Sequence, residues 1–371
     1  MKSIKEAGVA GKRVLLRVDF NVPMHGGVIS DINRIKAVVP TIRYLLDSGA
    51  KVIIATHLGK PDGRDLAFST IPLAKELSKL IPEKVTATDE VSGPNVESMT
   101  DNLGQKEILF IGNLRFNYGE QSNDASFASS LAKLAEIYCN DGFAVCHREA
   151  ASISAITKYL PSYAGLLLQL EIENLSKLMQ NPACPFVVIL GGAKIKDKAR
   201  AISNLGSTVD KILVGGAVGN TFLAAGGQNI SKSLFDTEMI DDCKAMLEKY
   251  GDKIIIPFDA VKEPLLAGEF SIKDIGPETI KKFKEEIGKA KTIFWNGNLG
   301  FTENDKFTIG TEEIAKALVN NKGVKIIAGG DTGGFIYSHS MAKDMTFIST
   351  GGGAALEFLA GKKLPGLTAL G

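Results

Sequence analysis

The chain has 371 residues, of which 44% are hydrophobic and 23% are charged, as in ordinary globular proteins. This length predicts two domains or one large α/β barrel, and either can bury a substantial core. The 43 Lys and Arg residues almost balance the 42 Asp and Glu residues. Because proteins that bind nucleic acid or a charged membrane surface need a basic excess, this balance argues against both partners.

The cysteines and the N-terminus predict a cytoplasmic protein. The four cysteines form no Cys-x-x-Cys pair and have no spacing typical of a zinc site, which favours reduced thiols over ligands or disulfides. Residues 1–11 are polar and lack the apolar core of a secretory signal. No run approaches the roughly 18 apolar residues that a membrane span requires.

Short apolar runs alternate with amphipathic segments along the whole chain. The runs are rich in β-branched residues and almost continuously apolar, as is typical of parallel strands covered on both faces. The predicted strands are residues 14–20, 51–56, 108–111, 137–140, 186–190, 211–214, 253–257, 292–295, 324–328 and 346–349. Helical patterns lie between them at residues 71–80, 126–135, 277–287 and 311–320. This alternation predicts an α/β protein with doubly wound parallel sheets.

The pattern changes near residue 170, which predicts two Rossmann-like domains rather than one. Pro161 and Gly165 interrupt the alternation, and residues 170–180 then form one helical pattern that ends before Pro182. That helix is either a hinge between two sheets or an ordinary crossover. We predict an N-terminal domain at 1–169, an interdomain helix at 170–182, a C-terminal domain at 183–353 and a final segment at 354–371.

Polar side chains follow the predicted strands of the first half. In parallel α/β sheets ligands bind outside the carboxyl ends of the strands, so these side chains are expected to meet at one edge. A cluster of arginines suits a small, multiply anionic substrate, because guanidinium groups bind phosphate and carboxylate through paired hydrogen bonds. The residues concerned are Asp19, Asn21, Arg34, His57, Lys60, Asn113, Arg115, His147 and Arg148.

Glycine turns follow the strands of the second half instead. Glycine lets the backbone approach a ligand closely, and the N-terminus of a following helix offers free N–H groups to phosphate. The turns are at Gly191-Gly192, Gly215-Gly216, Gly297, Gly329-Gly330 and Gly351-Gly352-Gly353. The sequence lacks a Walker A loop and a G-x-G-x-x-G motif, which argues against those nucleotide-binding classes. It therefore predicts a phosphotransferase with an anion-binding lobe and a nucleotide-binding lobe.

The motifs, taken in order, resemble those of phosphoglycerate kinases. They cover essentially the whole chain and comprise residues 17–23 (RVDFNVP), 33–35 (NRI), 57–61 (HLGKP), 113–116 (NLRF), 147–148 (HR), 191–198 (GGAKIKDK), 295–297 (WNG), 329–332 (GGDT), 349–353 (STGGG) and 356–358 (LEF). The resemblance implies reversible phosphoryl transfer between 1,3-bisphosphoglycerate and Mg-ADP, giving 3-phosphoglycerate and Mg-ATP in glycolysis. It also implies a monomer, and a C-terminal segment that returns to the first domain.

The resemblance implies a role for each site residue. The triose would be held by Asp19, Asn21, Arg34, His57, Lys60, Arg115 and Arg148. The nucleotide would be held by Gly192, Ala193, Lys194, Lys198, Gly216, Asn296, Glu303, Gly330, Asp331 and Thr332. Glu303 would take the ribose hydroxyls, and Asp331 would hold the magnesium ion. Arg34, Lys194, Gly330 and Gly352 would act on the migrating phosphoryl group, with a hinge closure between the lobes.

Several positions depart from the family pattern beside these residues. Lys60 stands where the family has arginine, which keeps the charge but loses the planar fork. Gly112 replaces a glutamate, Ala150 replaces a side chain that could hydrogen-bond substrate, and Asn298 replaces a proline. The segment between 258 and 275 is short for the family. An active enzyme is favoured, and the main alternative is a weakened family member that binds nucleotide and phosphoglycerate. A third alternative, well behind these two, is another α/β enzyme that binds phosphate.

Overall fold

The computed structural model describes residues 1–25 and 28–371. The chain forms two compact units, one made of Met1–Ile172 with Lys363–Gly371 and the other of Glu173–Lys362. Each unit is built around a six-stranded sheet. The α/β class with two sheets, predicted from the sequence, is confirmed. The functional domains predicted at 1–169, 170–182, 183–353 and 354–371 stay a prediction.

The described strands and helices alternate in the way the sequence indicates. The strands are β1 (Arg13–Arg17), β2 (Met24–His25), β3 (Val28–Ile29), β4 (Lys51–Ala55), β5 (Val85–Ala87), β6 (Ile108–Phe110), β7 (Ile137–Asn140), β8 (Ser162–Ala164), β9 (Phe186–Leu190), β10 (Lys211–Val214), β11 (Ile254–Ile255), β12 (Ala260–Pro264), β13 (Phe270–Ile275), β14 (Thr292–Asn296), β15 (Val324–Ala328) and β16 (Phe347–Ser349). The helices are α1 (Asn33–Asp47), α2 (Ile71–Leu77), α3 (Pro94–Asp101), α4 (Ala125–Ala132), α5 (Leu166–Met179), α6 (Ile195–Leu205), α7 (Gly216–Ala225), α8 (Ile240–Tyr250), α9 (Pro277–Lys289), α10 (Ile309–Asn320), α11 (Gly330–Ser338), α12 (Gly353–Leu359) and α13 (Pro365–Ala369).

The sheet of the first unit has the strand order β5-β6-β4-β1-β7-β8, and all its pairings are parallel. The chain leaves β1 toward β4 on one side and later returns to β7 on the other. The order therefore reverses between β1 and β7, where parallel sheets bind ligands. The central strand is apolar on both faces, with Val14, Leu15 and Leu16 fully buried.

The sheet of the second unit has the order β11-β10-β9-β14-β15-β16, again with parallel pairings throughout. Counted along the chain this is 3-2-1-4-5-6, the order of dinucleotide-binding sheets, and it reverses between β9 and β14. Amphipathic helices cover it. In α9, for example, Phe283 and Ile287 are buried one turn apart, and Pro277 opens the helix where its missing N–H costs nothing.

Three short features differ from the sequence prediction. β5 and β8 lie at the two edges of the first sheet and were not predicted. β12 and β13 form an antiparallel hairpin within the segment that is short for the family. The helix predicted at 170–180 begins four residues earlier, since α5 spans Leu166–Met179. Only Gly165 separates α5 from β8, so the interruption predicted around Pro161 and Gly165 consists of a short strand and a one-residue connection.

Candidate functional site

A cavity of about 250 Å³ opens at the carboxyl end of the first sheet. Four of its lining side chains are cationic or imidazole groups, and they come from four separate points of the chain. These four are Arg17, His57, Arg115 and Arg148. Glu120 and Glu149 also line the cavity. The structure thus brings together three residues named from the sequence and adds Arg17 to them.

Arg17 ends β1 and is fixed by buried partners. Its Nε donates to Ser152 Oγ at 2.9 Å, and its Nη2 lies 3.7 Å from Glu120 Oε1. Glu120 is 2% exposed and also accepts from the backbone N and the Oγ of Ser152. Because a buried ion pair is costly unless its remaining valences are satisfied, these bonds hold the guanidinium in one orientation. One end of that group then faces His57, whose Nδ1 is 3.4 Å from Arg17 Nη2.

His57 is a buried, neutral imidazole. Burial lowers its pKa well below 6.5, and the nearby positive charges of Arg17, Arg115, Arg148 and Arg34 lower it further. Asp19 Oδ1 lies 3.9 Å from His57 Nδ1, too far for a hydrogen bond. An uncharged ring has one donor and one acceptor nitrogen, so it can recognise an oxygen of a ligand without adding charge.

Asp19, Asn21 and Arg34 form one hydrogen-bonded group beside the cavity. Arg34 Nη1 donates to Asp19 Oδ2 and, at 3.2 Å, to the carbonyl oxygen of Asn21. The side-chain oxygen of Asn21 accepts from Gly59 N at 2.9 Å, which ties the loop after β1 to the loop after β4. The Arg34 side chain is 29% exposed, so part of its guanidinium remains open to a ligand.

Asn113 and Arg115 belong to the loop after β6. Asn113 is fully buried, and its amide bridges the backbone of Leu58 and Phe68. It therefore fixes the loops after β4 and β6 relative to each other. Arg115 Nη1 donates to Gly59 O, and burial lowers the pKa of its guanidinium below the ordinary value for arginine.

Lys60 and Arg148 are exposed, whereas Ala150 is buried and lines the cavity. Arg148 Nε donates to His147 Nε2 at 3.1 Å.

Close packing explains why position 112 is a glycine. A Cβ placed there would lie 2.3 Å from the carbonyl oxygen of Asp89. A glutamate therefore cannot replace Gly112 without moving the backbone after β5.

Two glycine turns cross at the switch point of the second sheet. Gly191 N donates to Asn296 O and Gly192 N donates to Asn298 O, at 2.9 and 2.7 Å. A Cβ on Gly191 would lie 2.2 Å from Asn298 O, and one on Gly297 would lie 2.2 Å from Gly191 O. Only glycine permits this approach, which joins the loops after β9 and β14 into one surface.

A cavity of about 300 Å³ opens on that surface, and most of its lining is apolar. Its walls come from the crossed turns, the start of α7, the β12–β13 hairpin and the loop after β14. Five of the residues named from the sequence line it, namely Gly192, Ala193, Gly216, Glu303 and Asp331. The carboxylates of Glu303 and Asp331 are exposed.

Lys198 and Lys194 lie in and just before α6. Lys194 is exposed, whereas Lys198 is 5% exposed and donates to Lys194 O at 3.1 Å. A Cβ on Gly192 would be 3.7 Å from Lys198 Nζ, which places the ammonium group behind the glycine turn. Burial lowers the pKa of Lys198 to about 8, against the opposing effect of Asp197 and Asp331.

Asn296 and Thr332 are already engaged with the backbone. Asn296 Nδ2 donates to Ala328 O, and Thr332 Oγ1 accepts from Gly297 N, both at 2.9 Å. Both side chains are buried, so they fix the turns after β14 and β15. Gly330 begins α11, and Gly352 precedes α12 with a φ of 50°. These two glycines, like Lys194, do not line the described cavity.

The sequence singled out neither the Arg17–Glu120 pair nor the wall formed by the hairpin. Arg17 was noted only within a motif, although a charge at the end of the apolar run Val14–Leu16 is itself a signal for a buried, partnered group.

Among the described residues, no three His, Cys, Asp or Glu side chains gather as they would around a metal ion. In the same part of the chain, no helix has the length and apolarity of a membrane span.

Comparison with known proteins finds relatives that match almost the whole chain. The phosphoglycerate kinase family model matches residues 4–362. The phosphoglycerate kinase of Finegoldia magna is 44% identical to the chain, and the match covers 99% of this chain and 98% of that protein. The phosphoglycerate kinase of Dictyoglomus turgidum is 43% identical, and the match covers 99% of this chain and 97% of that protein. The crystal structure of phosphoglycerate kinase from Pyrococcus horikoshii superposes with a TM-score of 0.91 at 32% identity, covering 100% of this chain and 98% of that one. Since sequence and fold agree over almost the entire length, the chain belongs to the phosphoglycerate kinase family of phosphotransferases.

Proposed function

We propose that the chain transfers a phosphoryl group reversibly between 1,3-bisphosphoglycerate and ADP, giving 3-phosphoglycerate and ATP as a step of glycolysis. The full-length family match carries this proposal. Two features support it. A cationic cavity lies at the switch point of one sheet, and a largely apolar, glycine-bordered cavity lies at that of the other. The first suits a small anion and the second suits a nucleoside phosphate.

The triose phosphate would bind to the first unit. Arg115 and Arg148 line the cavity with permanent charge, and His57 adds a neutral hydrogen-bonding ring. Arg34 would use the part of its guanidinium that Asp19 and Asn21 leave open. Lys60 would add a flexible charge at the exposed side of this group.

The nucleotide would bind to the second unit. Gly192, Ala193 and Gly216 would let the backbone approach it, and the exposed carboxylate of Glu303 can accept hydrogen bonds from ribose hydroxyls. Lys194 and Lys198 would bind the phosphates. Asn296 and Thr332 would support the turns after β15 and β14, because Asn296 Nδ2 donates to Ala328 O and Thr332 Oγ1 accepts from Gly297 N.

The magnesium ion is expected to come with the nucleotide. Mg²⁺ commonly uses only one or two protein carboxylates and takes its other ligands from phosphates and water. The exposed Asp331 at the cavity fits this pattern. Its negative charge partly offsets the lowering of the Lys198 pKa by burial, so the two groups interact. When bound, the ion would neutralise phosphate charge.

The reaction needs no general base, because the acceptor in the ATP-consuming direction is a carboxylate without a proton to lose. Catalysis then depends on positioning and on neutralising the charge of the transferred group. We assign the second task to Arg34 and Lys194, and to the turns at Gly330 and Gly352. Arg34 is held from one side by Asp19, so it is preorganised and loses little freedom when it binds.

The test is Arg34→Ala, with turnover and ADP affinity measured separately. We expect turnover to fall by about a hundredfold or more, as for the loss of one preorganised charge-stabilising group. ADP affinity should be unchanged, because Arg34 belongs to the other unit. Arg43→Ala is the matched control, since Arg43 lies on the same helix and pairs with Glu83 at 2.8 Å. Retained turnover in Arg34→Ala would refute the assignment.

A weakened family member that binds both ligands without efficient turnover is the second candidate. The departures at Lys60, Gly112, Ala150 and Asn298 favour it. Ala150 lines the first cavity and Asn298 the second, while Lys60 and Gly112 are sequence neighbours of Gly59 and Asn113. It predicts ADP and 3-phosphoglycerate binding with turnover near the detection limit.

We also propose that the protein is a cytoplasmic monomer. Cell fractionation would check the location, and light scattering of the purified chain would check the oligomeric state.

A further inference from the structure

The loop between β4 and α2 carries Lys60 and is fixed by hydrogen bonds just before it. Gly59 donates its N–H to Asn21 Oδ1 at 2.9 Å, and its carbonyl oxygen accepts from Arg115 Nη1. After Gly59, within the part of the chain that the structure describes, the backbone of residues 60–62 makes no hydrogen bond. Lys60 therefore begins the least restrained stretch of this loop.

A tyrosine from the loop after β6 binds the far end of that stretch. Tyr118 Oη donates to Asp62 Oδ1 at 3.0 Å. The same hydroxyl lies over Gly63, where a Cβ would be 3.1 Å from it. The bond to the carboxylate raises the pKa of the Tyr118 phenol above its ordinary value, so the hydroxyl keeps the proton that it donates. Tyr118 is 68% exposed and Asp62 is exposed, so the hydrogen bond is the main restraint in this contact.

Lys60 lies between these two fixed points. Consecutive Cα atoms are about 3.8 Å apart, so the Cα of Lys60 is within about 8 Å of those of Gly59 and Asp62. Fixing both ends of so short a stretch confines the point from which the lysine side chain extends, and the buried Pro61 stiffens it further. A lysine ammonium is a point charge on a flexible stem, so it gains more from a fixed backbone than an arginine fork does.

We propose that Tyr118 is a positioning residue for the triose substrate and that it acts through Asp62 on Lys60. The inference rests on the proposed function, which assigns 3-phosphoglycerate to the first unit and a contact with it to Lys60. Tyr118 belongs to this unit but does not line the cationic cavity, so it has no direct contact with substrate in this assignment. Its hydroxyl limits the positions of the Lys60 ammonium before binding, and the contact then costs less conformational entropy.

Titration calorimetry of 3-phosphoglycerate with Tyr118→Phe tests the inference, because this change removes only the hydroxyl. We expect the dissociation constant to rise about threefold, the scale for one exposed hydrogen bond to a charged group. The turnover number at saturating substrate and the ADP affinity should be unchanged. Asp62→Asn and Asp62→Ala both remove the charge, but only asparagine keeps an oxygen that accepts. Weaker binding in Asp62→Ala than in Asp62→Asn therefore reports the hydrogen bond alone.

A double-mutant cycle with Lys60→Ala separates positioning from a general effect on the fold. Lys60→Ala removes the side chain that Tyr118 positions, so Tyr118→Phe should not raise the dissociation constant further in that background. A purely structural role for Tyr118 would weaken binding equally in both backgrounds, and that result would overturn the inference. An unchanged dissociation constant in Tyr118→Phe or in Lys60→Ala would overturn it as well.

Tyr159→Phe is the matched control. Tyr159 is 44% exposed in the same unit and does not line the cavity, and its hydroxyl makes no hydrogen bond to a described residue. Loss of that hydroxyl should leave the affinity for 3-phosphoglycerate unchanged. A chain that binds 3-phosphoglycerate without turnover would contradict the proposed function, whereas the cycle of dissociation constants would still decide the role of Tyr118.

Discussion

Lys198 provides a prediction whose size follows from its environment. It is 5% exposed behind the Gly192 turn, and burial lowers its pKa from 10.5 to about 8. This difference corresponds to about 3 kcal/mol of lost preference for the charged form. A polyphosphate bound at the turn would favour that charged form again. Nucleotide binding should therefore depend on the protonation of this one group.

ADP affinity should fall as the pH rises through the pKa of Lys198. Below its pKa Lys198 is charged and attracts phosphate, and above it the free protein must take up a proton before the same contact forms. Each pH unit above the pKa weakens binding about tenfold, so ADP affinity should fall about tenfold between about pH 7 and pH 9. Arginine stays protonated throughout this range. Lys198→Arg should therefore bind ADP with little dependence on pH.

Calorimetry across this pH range, with the metal concentration held constant, is the assay. Lys211→Arg is the matched control, because Lys211 Nζ donates to Asp252 O at 2.8 Å and does not line the cavity. It should keep the pH dependence of the unaltered chain. The reasoning is refuted if Lys198→Arg shows the same fall in affinity as the unaltered chain, or if that chain shows none.

Three further predictions concern other residues. Burial raises the pKa of Asp141 from 3.8 to about 6, so the fold favours its neutral form. The free energy of unfolding should therefore fall by up to about 3 kcal/mol as pH rises through this range, and Asp141→Asn should reduce this dependence in denaturant titrations. Gly112→Ala should lower the free energy of unfolding by about 1–3 kcal/mol through its clash with Asp89 O, whereas Gly8→Ala, with no atom near its Cβ, should change it little. Lys60→Arg should lower the KM for 3-phosphoglycerate by about threefold, because a planar fork replaces a point charge at an exposed position, and an unchanged or higher KM would argue against a substrate contact.

The second sheet was predictable because all of its strands are apolar. Its six strands, including the two-residue β11, lie within or overlap the predicted segments. The first sheet was predicted only in its centre. β5 and β8 are three-residue edge strands, in which only Ala164 is fully buried, and Pro161 and Gly165 flank β8. Edge strands pair on one side only and need no continuous apolar run, so no pattern marks them.

The sequence predicted which side chains of the site lie together, but not how they are hydrogen-bonded. Side chains after predicted strands, such as His57 and Arg115, were expected at one edge, and the structure places them in one cavity. The roles of Asn113 and Asn296 could not be anticipated, because pattern does not show that their amides are hydrogen-bonded to the backbone. The cavity wall formed by β12 and β13 could not be anticipated, because the sequence did not predict this hairpin.

The initial rate of ADP formation from 3-phosphoglycerate and Mg-ATP, followed in a coupled assay, tests the central claim most directly. The account predicts a rate that saturates with both substrates and requires magnesium, with a median enzyme turnover of about 10 per second as the scale for comparison. Titration calorimetry on the same preparation measures whether each substrate binds, independently of turnover. A chain that binds both ligands without measurable ADP formation would contradict the account and leave the binding protein as its function.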